Sequence, residues 1–444
     1  MQLTIISDTH ATLIIDKVEH NPLTIGEHPA WAANGTLINV GGNPVVGGYT
    51  SAADFGDLDG LQAVRIFEPC QSSSADHCTF YENHSRIRMA SPRWYNTVIR
   101  ISDGGAMIIG RSKKGGWINN ETVNNPTIEY WPPKSLQNSM GLLIHLPSFV
   151  RTLNANLFPI VFSLPDDRIF ISANRDAIMY DWQKNQEQEL PRIPNECQVT
   201  YPMAGAGLLL PLSPEDGYTA EILLCGGSSI DDKKPGYEIS SQDPASASAL
   251  ACCLRIKESL QGWFSSSTVL GPESQAMATS SIGLDSRTQT TQFSLQFYTI
   301  PLPPLLLYGN EKWCDTKDVP LGRITDTQWR YFGGREQSEL ESEPVVHNPP
   351  EALRYGQNLT LGIQIPPSTN KAREIKVALM DLGFITHAVH ANSRLPAAYP
   401  PGPGWIYIVV DGVPSIGFQV IVGSGDGPPV DQAAWDKCIC IFYY

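Results

Sequence analysis

Residues Met89–Gly110 read MASPRWYNTVIRISDGGAMIIG. Asp103-Gly104 is a turn dipeptide, Ala106–Ile109 is an apolar strand and Gly110 closes it, a hairpin signal followed by a close backbone approach. The unit recurs as NGTLINVGGN at Asn34–Asn43 and, more loosely, as DDRIFISAN at Asp166–Asn174. YTAEILLCGG at Tyr218–Gly227 repeats the strand and glycine without the turn. Segments with a 3.6-residue period are scarce over the same region. A strand–turn unit recurring at this spacing argues for a β-propeller, although a sandwich could also produce such hairpins. At about 50 residues per blade, residues 1–343 would hold about seven blades with no room for insertions.

Two departures divide the rest of the chain. Residues 265–343 begin SSSTVLGPESQAMATSSIGLDSRTQTTQ and continue through YTIPLPPLLLYGN, where prolines break any central strand. The turn–strand–glycine unit nearly vanishes there, YFGG at Tyr331–Gly334 being its trace, so this stretch reads as aberrant for a propeller. From Pro344 to Tyr444 the alternation becomes strict. Leu359, Leu361, Ile363 and Ile365 form one set, Ile375, Val377 and Leu379 another, and WIYIVVDGVPSIGFQVIVG is a hairpin around Asp411-Gly412. Period 2 with one buried face predicts a β-sandwich of about 100 residues. The junction, SELESEPVVHNPP, is charged and proline-containing, as domain boundaries often are.

Composition narrows the class. Lys plus Arg is 31 against 45 for Asp plus Glu, a net charge of −14, and an acidic surface repels nucleic-acid phosphates. The 42% hydrophobic and 17% charged content excludes disorder as a class. No apolar run approaches the roughly 18 residues of a membrane helix. The N-terminus, MQLTIISDTHATLIID, lacks a basic start and a small-residue cleavage site and does not read as a signal peptide. Of the nine cysteines, Cys70 and Cys78 bracket a short polar loop, and Cys225 and the Cys252-Cys253 pair bracket another. Disulfides there suit an oxidising compartment; the alternative is unpaired thiols in the cytosol. The N-x-S/T sequons at Asn34, Asn83, Asn120 and Asn358 add mild support for secretion.

Few residues nominate chemistry by themselves. His387 and His390 in HAVH could share a metal if the segment turns, but a lone HxxH more often marks polar residues on a loop. Tyr95, beside Arg93 and Trp94, is in the ordinary case a packed aromatic. MAGAG at Met203–Gly207 lacks the βαβ context of a dinucleotide site. No G-x-S-x-G elbow, P-loop or HExxH is present. Cys438-x-Cys440 alone cannot build a tetrahedral zinc site.

In a fixed order the chain carries DKVEHNPLTIGEHPAWA, NGTLINVGGNPV, QAVRIFEPC…CTFYE, MASPRWYNTVIRISDGGAMIIG, NANLFPIVFSLPDDRIF and PLSPEDGYTAEILLCGGSS. These are followed by VALMDLGFITHAVHANSRL and YPPGPGWIYIVVDGVPS. In these segments it resembles the glyoxal oxidase group of copper radical oxidases, relatives of galactose oxidase. The resemblance implies an all-β chain: a seven-bladed propeller, here possibly incomplete, over residues 1–343, then an immunoglobulin-like sandwich over 344–444 that sends a histidine toward the propeller axis. It implies oxidation of simple aldehydes such as glyoxal and methylglyoxal to carboxylic acids, with O2 reduced to H2O2. It also implies a single copper ion with a tyrosyl radical, and a monomeric extracellular protein. Copper cycles a single electron and aldehyde oxidation needs two, so the radical supplies the other. Imidazole and phenolate donors suit tetragonal Cu(II).

Carried over by residue, the radical tyrosine is Tyr95 and the sandwich-domain copper ligand is His387. Cys70 and Cys78 match the family's disulfide, and Cys225 and Cys253 are a second candidate pair. The cross-linking cysteine has no counterpart: His28-Pro29-Ala30-Trp31 runs directly into the Asn34-Gly35-Thr36 turn, the strand between them is missing, and no cysteine precedes Cys70. The axial tyrosine and second copper histidine should fall within 265–343, which contains no histidine, and Tyr298, Tyr308 and Tyr331 are not followed by one. Arg111 replaces the glycine of the family's IIGG. Three readings follow: an oxidase whose sequence is an incorrect translation of its gene, a non-catalytic propeller, or a different enzyme on the same scaffold.

Overall fold

The computed structural model describes residues 2–4, 13–15, 28–42, 60–68, 79–83, 86–114, 121–136, 139, 141–153, 156–193, 196–201, 203, 205–210, 212, 217–227, 253–259, 262–267, 343–367, 374–381, 384–386, 389–391, 399–411 and 413–440. Four antiparallel four-stranded sheets follow one another along the chain, each in simple meander order. Their strands are His28–Trp31, Leu37–Val40, Val64–Glu68 and Thr79–Tyr81; Thr97–Arg100, Ala106–Ile109, Thr127–Trp131 and Ile144–His145; Ile160–Ser163, Ile169–Ala173, Asp176–Asp181 and Gln186–Glu189; and Gly205–Leu209, Glu221–Gly226, Cys253–Ser259 and Gly262–Ser267.

The middle sheets are buried on both faces, which is why their strands read as unbroken apolar runs rather than alternating ones. Along AMII, Ala106 and Ile108 pack toward the first sheet with Ile38, Val40 and Val64, while Met107 and Ile109 pack toward the third with Val161, Ile169 and Ile171. The third sheet divides likewise: Ile171, Ile178 and Tyr180 face the second sheet, and Phe162, Phe170 and Met179 face Leu209, Ile222 and Leu224 of the fourth. The sheets therefore stack face to face in series. The opening strand of each lies beside the opening strand of the next.

The glycines of the repeated unit mark where neighbouring sheets touch. Gly104 has φ +84°, and a Cβ there would lie 2.4 Å from the Ala33 Cβ. Gly41, after the strand of the first unit, would place a Cβ 2.7 Å from the Arg93 carbonyl oxygen.

The expectation of a missing strand in the first sheet is corrected. His28–Trp31 itself pairs with Leu37–Val40, Trp31 opposite Leu37 and His28 opposite Val40, so the sheet is complete without the segment the resemblance calls for. Residues 268–342, most of the aberrant stretch, lie outside the described residues.

Beyond Glu343, Val345–His347 pairs with Gly362–Gln364, and a larger sheet is ordered Ala352–Leu353, Phe418–Val422, Gly402–Val410 and Ile375–Met380. The two pack together through Val346, Leu361 and Ile363 on one side and Ile406, Ile408, Val420 and Val422 on the other. The Asp411 turn closes the expected hairpin, with Val410 opposite Val413. The predicted alternation holds only in part. Leu361, Ile363 and Leu379 pack against the core, whereas Leu359, Ile365, Ile375 and Val377 are exposed. Ile375–Met380 is the terminal strand of its sheet, and its first half has no covering layer among the described residues.

A further departure concerns the HAVH motif. Its flanks form a hairpin, Phe384–Thr386 with Val389–Ala391, that pairs with Gln2–Thr4 and through it with Leu13–Ile15, rather than with the sandwich sheets. Val389–Ala391 lies beside Gly205–Leu209, so this sheet extends the series at the fourth.

The C-terminal helix Gln432–Cys440 was not foreseen. It packs back on the second sheet, with Trp435 5.0 Å from Trp131 and Ala434 against Gly141. Asp431 accepts from Ala434 N at 3.0 Å and from Ser135 N at 3.0 Å, which caps the helix and ties it to the second sheet's final turn region. Those backbone donors hold the Asp431 carboxyl below the ordinary aspartate range. A depressed folded pKa contributes stability above the unfolded value of about 3.9 and loses it as pH falls through the folded value. The helix is thus expected to detach at a higher pH in Asp431→Asn than in the wild type during acid titration followed by Trp435 fluorescence. Coincident titrations would show that the cap contributes nothing. Among the described residues no helix is long and apolar enough to cross a membrane.

Candidate functional site

The second, third and fourth sheets each begin with an aromatic residue just ahead of the opening strand: Tyr95, Phe158 and Tyr201. Because those strands are neighbours, the rings meet. Tyr95 stacks on Trp94 at 3.9 Å between centroids and on Phe158 at 4.7 Å, and Tyr201 meets Tyr95 edge-on at 5.2 Å. Phe158 is buried, whereas Trp94, Tyr95 and Tyr201 are half-buried. Phe158 N donates to Tyr95 O at 3.0 Å, fixing one turn against the other. Tyr95 and Phe158 hold φ of 59° and 47°, a region bulky residues rarely occupy, so the surroundings impose it.

Arg93 supplies much of that constraint. Its guanidinium is fully buried and pairs with Glu129 Oε1 at 2.6 Å. It also donates to the carbonyl oxygens of Gly110 at 2.5 Å and Thr127 at 2.9 Å, and to Thr127 Oγ1 at 3.0 Å. Glu129 Oε2 accepts from Ala90 N at 2.6 Å. Trp94 and Ser112 exchange backbone hydrogen bonds of 2.8 and 3.1 Å. The RWY segment is therefore bolted to the second sheet at Ala90, Arg93 and Trp94, which presents Tyr95 at the sheet mouth.

The structure places Tyr95 at this rim but shows His387, Cys70, Cys78 and Asn120 outside the described residues. Asn34, Asn83 and Asn358 are exposed, and Asn34 Oδ1 closes its own sequon turn by accepting from Thr36 N at 3.2 Å. The strand register sets Cys225 directly opposite Cys253. Cys197, which the sequence reading passed over, is disulfide-bonded. Phe158 and Tyr201 were also passed over. Each is followed by proline, in NLFPIVF and VTYPMAG, at the position Tyr95 holds in its own unit.

The family model for the glyoxal oxidase N-terminus matches residues 10–268, more than half of the chain. The chain belongs to the glyoxal oxidase family. A galactose oxidase-like early set domain matches residues 343–397. Among curated relatives, the aldehyde oxidase GLOX of Vitis pseudoreticulata is 32% identical over 178 residues, 39% of this chain and 30% of that protein. The putative aldehyde oxidase Art an 7 of Artemisia annua is 26% identical over 215 residues, 47% of this chain and 33% of its own length. Aldehyde oxidase GLOX1 of Arabidopsis thaliana is 23% identical over 465 residues, 86% and 69% of the two chains. The matches to the Vitis and Artemisia proteins thus span about a third of each. A solved fungal alcohol oxidase of the AA5 family in complex with copper aligns over 95% of this chain and 97% of its own, at 11% identity and a TM-score of 0.41.

For a glyoxal oxidase-family chain the setting of Tyr95 is notable for what its neighbours are. Among the described residues, rings of Trp94, Phe158 and Tyr201 stand against it. No group of three or more His, Cys, Asp or Glu side chains converges among the described residues. The first sheet runs from His28–Trp31 into its turn without a cysteine.

Proposed function

We propose that this chain is a glyoxal oxidase-family protein whose copper-radical centre is incomplete, so that as its sequence stands it does not turn over aldehydes. The family reaction would take an aldehyde, water and O2 to a carboxylic acid and H2O2. Two electrons leave the aldehyde and reduce O2, and a copper ion with a tyrosyl radical would be the acceptor between them. The residues present do not fit that group. A tetragonal Cu(II) site needs several nitrogen and oxygen donors about one plane, and this chain offers the Tyr95 phenol and the His387 imidazole. The observation that carries the reading is that the first sheet runs from His28–Trp31 into the Asn34-Gly35-Thr36 turn without a cysteine, and that residues 265–343 contain no histidine.

A non-catalytic propeller kept as a binding or structural module is the form this reading takes. It is favoured because each of the four described stacked sheets has its four strands, and we read them as blades of a seven-bladed ring. The disulfide at Cys197, the Cys225–Cys253 register and the exposed sequons support an extracellular, oxidising location for a monomer. A copper titration of the wild type and Tyr95→Phe tests the donor count. Both are expected to bind weakly and alike, whereas stoichiometric binding that Tyr95→Phe abolishes would contradict an unbuilt site.

A further inference from the structure

Among the described residues, five arginines are buried to the level of the core: Arg65, Arg93, Arg100, Arg111 and Arg175. Four have a carboxylate within ion-pair distance: Glu82 at 3.4 Å for Arg65, Glu129 at 2.6 Å for Arg93, Asp381 at 3.2 Å for Arg100 and Glu196 at 3.3 Å for Arg175. Arg111 has none. It is 1% exposed, its Nε and Nη1 donate to nothing, and its Nη2 reaches Asn124 Oδ1 only at 3.4 Å. Its guanidinium carbon lies 4.8 Å from the centroid of the Phe149 ring, so one face is covered while the edges carrying the N–H groups keep unmet donors. Arg93 nearby adds positive charge, and the Arg93 carboxylate partner is already engaged by Arg93 Nε and Ala90 N.

A buried guanidinium cannot shed its proton in the ordinary pH range, and an unpaired buried charge is strongly unfavourable. Proteins resolve this with a co-buried counter-charge. Here the described residues supply no carboxylate, since the neighbouring donors and acceptors, Asn124, Ser112 and Asn125, are neutral and already engaged with Phe149 O, with Lys114 O and with Ser91 and Pro92. We propose that Arg111 is the core of an internal binding site for a small inorganic monovalent anion of the halide class, held in the guanidinium plane by its Nε–H or Nη1–H donors. The site belongs to this chain's own arginine, at the place where the sequence departs from the glyoxal oxidase pattern. It is independent of any copper chemistry at Tyr95.

A ligand that binds only the native state raises the unfolding midpoint with its concentration. Full-length wild type and Arg111→Met are to be melted in increasing chloride, with ionic strength held constant by gluconate, an anion too large to be enclosed. The midpoint is expected to rise by several degrees across the series in the wild type and to stay flat in Arg111→Met. A wild-type midpoint that does not respond to chloride, or an equal response in both proteins, overturns the site. Should Arg111→Met fail to fold, the wild type alone decides. After equilibration in bromide and rapid transfer to gluconate, denaturation should release equimolar bromide, measured by ion chromatography, and release of none overturns the proposal.

Discussion

Glu129→Gln is expected to cost about 3–5 kcal/mol, the usual penalty for removing one partner of a buried ion pair. Arg93 is fully buried and Glu129 nearly so, and the carboxylate holds both the Arg93 Nε at 2.6 Å and the Ala90 amide at 2.6 Å. A glutamine of the same shape keeps an acceptor for one donor but leaves the guanidinium without counter-charge in a low-dielectric setting. The loss is large against the roughly 5–15 kcal/mol that separates native from unfolded domains. Urea unfolding of the two proteins measures it. Thr127→Val is expected to cost about 1–3 kcal/mol, since it removes the Oγ1 bonds from Arg93 Nη2 and to Asn125 Oδ1 but leaves the Thr127 carbonyl oxygen bonded. A loss below about 1 kcal/mol for Glu129→Gln would mean that the pair is solvated or that Arg93 is held by its carbonyl acceptors alone.

Gly402→Ala should uncouple the halves of the molecule. Arg100, on the opening strand of the second sheet, crosses Gly402 to reach Asp381 Oδ2 and the Pro403 carbonyl oxygen, each at 3.2 Å, and it lies 5.1 Å over the Tyr399 ring. A Cβ at Gly402 would stand 2.4 Å from Arg100 Nη1 and 3.0 Å from Ala32 O, at a φ of +133° that side chains avoid. The methyl group must displace the guanidinium and strain the backbone, an expected loss of about 3–5 kcal/mol. Because both mutations act through the same contact, Gly402→Ala combined with Arg100→Met should cost less than the sum of the singles. Calorimetry should show separate transitions for the stacked N-terminal sheets and the sandwich in Gly402→Ala. A single cooperative transition at the wild-type temperature would show that the latch carries no coupling.

How much of this was legible differs from element to element. The turn–strand–glycine units were readable because each part has a local cause: Gly104 takes a positive φ and abuts Ala33, and the AMII run is buried on alternate faces by different neighbours. The sandwich hairpin at Asp411 was readable for the same reason. Ile375 and Val377 misled because period 2 says which residues share a face but not whether anything covers it. The pairing of the HAVH hairpin with Gln2–Thr4 joins residues far apart in sequence, and no local pattern encodes it. The C-terminal helix did carry a signal, Asp431 at the cap after Pro428-Pro429, that strand periodicity overshadowed. At the site, Tyr95 was legible as a candidate through its motif. Its enclosure by Phe158 and Tyr201 was not, because a ring contact between sheets becomes visible only when the sheets are stacked. Sequencing the transcript across the codons for Ile25–Thr36 and Ser265–Glu343 separates a lineage that has lost its copper ligands from a gene whose coding sequence includes them.

The central claim is that Tyr95 stands in a family scaffold without a working copper-radical centre. Peroxide release from methylglyoxal and O2 by the copper-loaded, oxidant-treated chain tests it most directly, beside an intact aldehyde-oxidising relative under the same conditions. The account predicts a rate no higher than that of the unloaded protein and unchanged in Tyr95→Phe. Turnover comparable to the relative, lost on Tyr95→Phe, would contradict it.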